Sequence, residues 1–208
     1  MTDSAGLLGR WPLDEGADVA ADLLARYAEP HRGYHNQRHL AEVLERIDLL
    51  ADQLPFDTLC VELAAWFHDA IYDGEAAMEE RSAQLAESAL TPLGVLPAIT
   101  AEVGRLVRLT ATHRPTRRAD GSFDQAGAAL VDADLAILAA PAERYADYVA
   151  GVRAEYAALS EPEFNAGRAS VLRTLMASPK LFHTAVGQQT WEEPARRNVV
   201  AELERLTR

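Results

Sequence analysis

Six polar side chains stand where the helical period of this chain calls for apolar ones: His35, His39, His68, Asp69, His113 and Asp134. The pair His68-Asp69 is the clearest case. Leu59, Leu63, Phe67 and Ile71 form a stripe four residues apart, and Cys60, Ala64 and His68 form the stripe beside it. A helix apolar on both stripes is mostly buried, and burying an imidazole beside a carboxylate is costly unless something compensates. His35 and His39, four apart, continue a line to Val43, and Asp134 stands between Leu130 and Leu138 at i−4 and i+4. Taken singly, each has a structural explanation. A core histidine is usually hydrogen-bonded to a neighbour, and an inward aspartate can cap a helix. Taken together, imidazoles and carboxylates from four expected helices make a ligand set for a divalent transition metal: Mn, Fe, Co, Ni or Zn. On this pattern alone a hydrogen-bonded core network and a metal centre both stay open.

Rival chemistries lack their residues. There is no H-E-x-x-H helix and no dinucleotide or P-loop fingerprint. No Glu-x-x-His pair suggests a carboxylate-bridged di-iron bundle, and no G-x-S-x-G elbow presents a serine nucleophile. The lone Cys60 leaves no cysteine pair for structural zinc or for a disulfide.

The elements that must position these groups are all helical. Residues 1–16 mix Gly, Pro and short polar runs and read as an irregular lead-in; residues 17–208 read as one domain. A helix over residues 17–28 is followed by a break at Pro30 to Tyr34. A long helix is expected over about 35–53, closed by Pro55, and Asp57 can cap the next, which carries His68-Asp69. Glu79-Glu80-Arg81-Ser82 opens another helix, its acids suiting the positive helix end. Further helices are expected from Ile99 to near His113, across residues 128–138, and around Tyr145–Tyr156, Phe164–Leu175 and Trp191–Leu206. No strand-period run longer than a few residues interrupts them. The expectation is an all-α, compact, single multi-helix bundle.

The chain has 208 residues, 49% of them hydrophobic, which is enough to bury a full core. Its formal net charge of −12 argues against a nucleic-acid polymer as partner. Arg114, Arg117 and Arg118 nevertheless form a local basic cluster, either a solvated loop or a receiver for a small phosphate. Without a charged-then-apolar leader or a run of ~18 apolar residues, the expected setting is cytoplasmic, with no membrane contact.

The order His39, then His68-Asp69, then Asp134 on a helical chain resembles the HD-domain superfamily of metal-dependent phosphohydrolases. The segments Tyr34-His35-Asn36, Trp66-Phe67-His68-Asp69-Ala70-Ile71-Tyr72-Asp73, Glu79-Glu80-Arg81-Ser82-Ala83 and Asp132-Ala133-Asp134-Leu135 are similar to a bacterial subgroup of predicted HD phosphohydrolases. Val152-Arg153-Ala154-Glu155-Tyr156, Phe164-Asn165-Ala166-Gly167-Arg168 and Ala195-Arg196-Arg197-Asn198 extend the likeness, which covers roughly residues 20–206.

The resemblance implies an HD-domain-like bundle with His39, His68, Asp69 and Asp134 around one divalent ion. Asp132 is the rival for the last ligand. His35 and His113 could complete a second metal position or bind the substrate phosphate, with Arg81, Arg114, Arg117 and Arg168 as further phosphate receivers. Such an ion activates water and polarises a phosphoryl oxygen. Asp73 and Glu80, just after the ligand pair, are candidates to orient that water or protonate the leaving group, or else ordinary helix-end acids. The implied activity is hydrolysis of a phosphate ester in a nucleotide or other small phosphorylated molecule. Two other readings share the same residues: a non-catalytic metal- and nucleotide-binding sensor module, and an HD-type di-iron oxygenase.

Overall fold

The computed structural model describes residues 4–207, so residues 1–3 of the lead-in and residue 208 lie outside the described residues. The protein is all-α. Its helices are α1 (Ser4–Leu8), α2 (Ala17–Tyr27), α3 (Gln37–Ala51), α4 (Thr58–Phe67), α5 (Met78–Leu90), α6 (Pro97–Leu109), α7 (Gln125–Leu135), α8 (Ala142–Glu155), α9 (Glu161–Met176), α10 (Ala185–Thr190) and α11 (Glu192–Leu206). A short 3₁₀ turn over Ala136–Ala139 follows α7 directly. Among the described residues the one β feature is an isolated antiparallel bridge between Arg117 and Phe123. No single helix there is long and apolar enough to cross a membrane.

The fold is built around α4, which packs against α3, α5, α6 and α7. Its composition demands this position, since Cys60, Val61 and every residue from Leu63 to Phe67 are buried and no polar face is left for water. The Asp57 side chain accepts the Cys60 N–H at 3.1 Å and starts the helix where the sequence places it. Helix α7 is nearly as apolar, with Ala128 to Val131 all buried. The C-terminal ends of α4 and α7 supply the acidic half of the candidate site.

Several boundaries differ from expectation, and each has a local cause. The lead-in opens with α1, whose Leu7 is buried, and Trp11 sets its ring edge against Trp66 at 5.3 Å. The long helix begins at Gln37, so His35 precedes it; the Asn36 side chain accepts the Arg38 N–H and fixes the start. Helix α4 stops at Phe67, leaving His68 as its cap and Asp69 beyond it, where the Tyr27 hydroxyl accepts the Asp69 N–H at 3.3 Å. Helix α6 ends at Leu109 and His113 follows in a left-handed conformation, φ 52°. Helix α10 falls in a stretch that periodicity leaves unassigned; it is only six residues long.

Candidate metal centre

Four side chains from three parts of the chain converge. His39 comes from the first turn of α3, His68 and Asp69 from the end of α4, and Asp134 from the last turn of α7. His39 Nε2 and His68 Nε2 are 3.1 Å apart. Asp69 Oδ2 lies 3.3 Å from His39 Nε2 and 3.1 Å from His68 Nε2. Asp134 Oδ1 lies 3.3 and 3.8 Å from the same two nitrogens. Ligand atoms at ~2.0–2.2 Å from one ion stand ~3.0 Å apart on an octahedral edge and ~3.4 Å apart on a tetrahedral one. Four of the five separations, at 3.1 to 3.3 Å, match those edges, and the 3.8 Å between His68 and Asp134 exceeds them. The ligand atoms of His39, His68 and Asp134 all fall within 4.8 Å of one another, so this group could hold a metal ion. Asp69 stands beside that group, with its Oδ2 within 3.3 Å of both imidazoles.

The surrounding contacts favour that use. His68 Nδ1 donates to the Ala65 carbonyl at 2.7 Å, which fixes the tautomer and turns the Nε2 lone pair toward the cluster. His113 Nε2 is 2.9 Å from Asp134 Oδ2, so it orients the outer oxygen while Oδ1 faces the histidines. The left-handed backbone at His113 costs about 1 kcal/mol or more for a residue with a Cβ. The ring carried on this backbone stands against Asp134.

Burial by itself would push the His39 imidazole down, but hydrogen bonds with Asp134 and Asp69 carry it up to about 9. Burial likewise opposes ionisation of Asp134 and Asp69, and the neighbouring histidines hold both carboxyls well below the ordinary range. In protein stripped of divalent ions His39 therefore keeps its proton at neutral pH. A histidine raised from 6.5 to about 9 contributes stability that is complete below pH 6.5 and is lost as the pH climbs through about 9. Thermal melts of chelator-treated protein are expected to decline across that window. A profile flat through it would show that the carboxylates do not share His39's proton.

His35 lies close by in a different setting. Its Nδ1 is 2.8 Å from Glu155 Oε2, and the other oxygen of Glu155 accepts the backbone N–H groups of Tyr34 and His35. Glu155 is almost wholly buried, and the Tyr72 ring stacks on His35 at 4.1 Å. This arrangement depends on two glycines. Gly33 and Gly151 bring the loop and α8 so close that a Cβ on either would collide with the other's backbone.

His35, Asp69, Tyr72, His113 and Asp134 line one end of a cavity of about 470 Å³, and His39 and His68 lie behind that lining. The other expected site residues stand elsewhere. Asp73 is exposed and bound by Arg81 through both oxygens, at 2.9 and 2.6 Å. Arg108 holds Glu80 at 2.6 and 2.9 Å. Neither acid lines the cavity, whereas Glu79, one residue earlier, does. Arg81 is committed to Asp73, and the exposed Arg114 is also absent from the lining. Within the basic loop, Arg118 pairs with Glu102 at 2.7 Å and Arg117 donates to the Gly121 carbonyl. Arg168 does line the cavity, although its Nε donates to Glu202 at 2.8 Å and its Nη2 to the Tyr148 hydroxyl at 2.7 Å.

Asp132 turns away from the cluster. It accepts the His183 and Thr184 N–H groups at 2.7 and 2.8 Å and the Thr184 hydroxyl at 2.7 Å, tying down the entry to α10. Residues two apart on a helix point ~200° from each other. With Asp134 in the cluster, Asp132 must face the opposite way.

Two positioning residues gave little sign of themselves in the sequence. Arg32, buried between the Tyr27 and Tyr72 rings, donates to the carbonyls of His35, Asp69 and Ala70 and so joins the His35 loop to the His68-Asp69 turn. Ser82, fully buried, accepts the Ile71 N–H and anchors the segment after Asp69. An arginine inside a Pro-Gly break is a weak signal, and a serine on a helix is weaker still.

Comparison with protein-family models, with curated proteins and with solved structures finds no match for this chain.

Proposed function

We propose that the protein is a metal-dependent phosphohydrolase of HD type, with His39, His68, Asp69 and Asp134 as a His₂Asp₂ ligand set for one divalent transition metal. The observation that carries this reading is the meeting of two buried imidazoles with two carboxylates at 3.1 to 3.8 Å, the carboxylates also lining a cavity. When bound there, such an ion polarises a phosphoryl oxygen and supplies a nucleophile from water near neutral pH.

The chain's own groups do the rest. Asp69 and Asp134 bring two negative charges that offset those of a dication. His113 keeps Asp134 aligned. Glu155, ionised and buried, accepts a proton-bearing Nδ1 from His35, which leaves His35 Nε2 as the atom that takes or delivers a proton at a substrate oxygen. Much of the cavity lining is apolar, including Leu135, Ile137, Leu138 and Val152, which limits the water competing for the phosphoryl group.

The test is metal analysis of the purified protein beside His68→Ala, followed by hydrolysis assays on phosphomonoesters with Mn, Fe, Co, Ni or Zn added. The parent is expected to hold about one equivalent, the variant none, and the loaded parent to release phosphate. A parent that takes up no metal on reconstitution would leave a hydrogen-bonded network and end the proposal. A loaded parent inert toward every phosphomonoester would leave the metal centre but remove the hydrolase.

A further inference from the structure

Away from its polar end the cavity changes character. Val152, Tyr156, Leu159, Phe164, Val171 and Leu175, from the α8–α9 corner and the body of α9, form an apolar chamber contiguous with the candidate metal centre. Among the described residues, three of the large apolar side chains left exposed gather at this one mouth: Tyr156, Leu159 and Val171, at 40, 41 and 54%. Exposed apolar area gathered around a concave site marks a place that something apolar fills.

The charges in the lining narrow the choice. Its acids are Asp69, Glu79 and Asp134; its basic groups are His35, His113 and Arg168. His35 is tied to Glu155 and His113 to Asp134, and Arg168 is neutralised by Glu202. No uncommitted arginine or lysine lines the cavity to receive a second or third phosphate through paired N–H groups. Of the six chamber side chains only Tyr156 carries a polar atom, so a nucleobase lodged there would lose water from its polar edges without gaining a full set of partners.

Resting on the phosphohydrolase reading, we infer that the substrate is a phosphomonoester of an apolar alcohol. Its single phosphoryl group lies at the polar end of the cavity, beside Asp69 and Asp134, and its hydrocarbon part fills the α8–α9 chamber. Nucleoside di- and triphosphates are poor fits on both counts. The alcohol is the leaving group. Water adds to phosphorus, the P–O bond to the alcohol breaks, the alcohol oxygen gains a proton, and inorganic phosphate remains.

The experiment is calorimetric titration of the metal-loaded protein with straight-chain alkylphosphonates of two to eight carbons and with adenosine and uridine monophosphates, while hydrolysis of the matching alkyl phosphates is followed in parallel. Affinity is expected to tighten about two- to fourfold per added methylene and to exceed that of both nucleotides at the longer lengths. Val171→Asp, a half-exposed rim position, is expected to flatten that dependence. A length-independent series, or tighter binding of either nucleotide than of octylphosphonate, would overturn the inference. A steep binding series without turnover of any ester would keep the apolar chamber and remove the hydrolase. Turnover of short esters with a flat binding series would keep the hydrolase and remove the chamber's role.

Discussion

Replacing Arg168 by methionine is expected to cost about 3–5 kcal/mol of folding stability, the range for removing one partner of a buried ion pair. For a chain of this size that corresponds to a fall in Tm on the order of 6–20 °C. Arg168 and Glu202 are nearly inaccessible, at 10 and 2% side-chain exposure, and Glu202 also receives the Tyr145 hydroxyl in a short hydrogen bond. The guanidinium lies 4.9 Å from the centre of the Tyr148 ring, itself 4.5 Å from Tyr34, whose ring packs on His39. Losing the arginine leaves the Glu202 carboxylate buried with two tyrosines and no cation. The double variant Arg168→Met with Glu202→Met removes both charges and should recover much of the loss, since an apolar pair can replace a buried ion pair at little cost. Urea denaturation of the parent, single and double variants measures this. A single variant within about 1 kcal/mol of the parent would mean the pair is solvated in practice. Arg168 would then be free to receive phosphate.

That pair shows what the sequence could and could not convey. The 3.6-residue period placed Val43, Leu44, Leu63, Phe67, Leu130 and Leu138 correctly in or against one core, because burial is decided by which face of a helix a residue occupies. The same period says nothing about where a helix stops. Helix α4 ends before His68 at a place set partly by Tyr27 and Arg32, which hydrogen-bond the Asp69 and Ala70 backbone from about forty residues away. Pairings decided in three dimensions were equally hidden. Glu80 and Asp73 are acids near the ligand pair in sequence, yet Arg108 and Arg81 hold them away from the cavity. Glu155 is distant in sequence and reaches His35 because Gly33 and Gly151 permit the close approach. The candidate ligands were legible for a simpler reason. A polar group on an apolar stripe violates the pattern that surrounds it, and such violations concentrate where a fold is built for something besides stability.

The two aspartates of Asp132-Ala133-Asp134 give the sharpest test, because they are chemically identical and two residues apart. Asp134→Asn is expected to weaken binding of a divalent metal by two to three decades. Structural binding energies of about 10–16 kcal/mol over four ligands imply roughly 2.5–4 kcal/mol for each. The amide would also carry one less charge opposite the dication. Asp132→Asn is expected to bind metal within about threefold of the parent, a shift under 1 kcal/mol, but to lose about 1–3 kcal/mol of stability. Its two oxygens accept three donors from His183 and Thr184, and an amide NH₂ in place of either oxygen would point a donor at a donor. Competition against a chromogenic chelator, with zinc or manganese, reads the first effect, and thermal melting of chelator-treated protein reads the second. If Asp132→Asn lost the metal while Asp134→Asn kept it, the register of α7 would be wrong and the His₂Asp₂ assignment would fall with it. If both variants kept the metal, the two histidines and Asp69 would suffice, and the alignment of Asp134 by a strained His113 would need another reason.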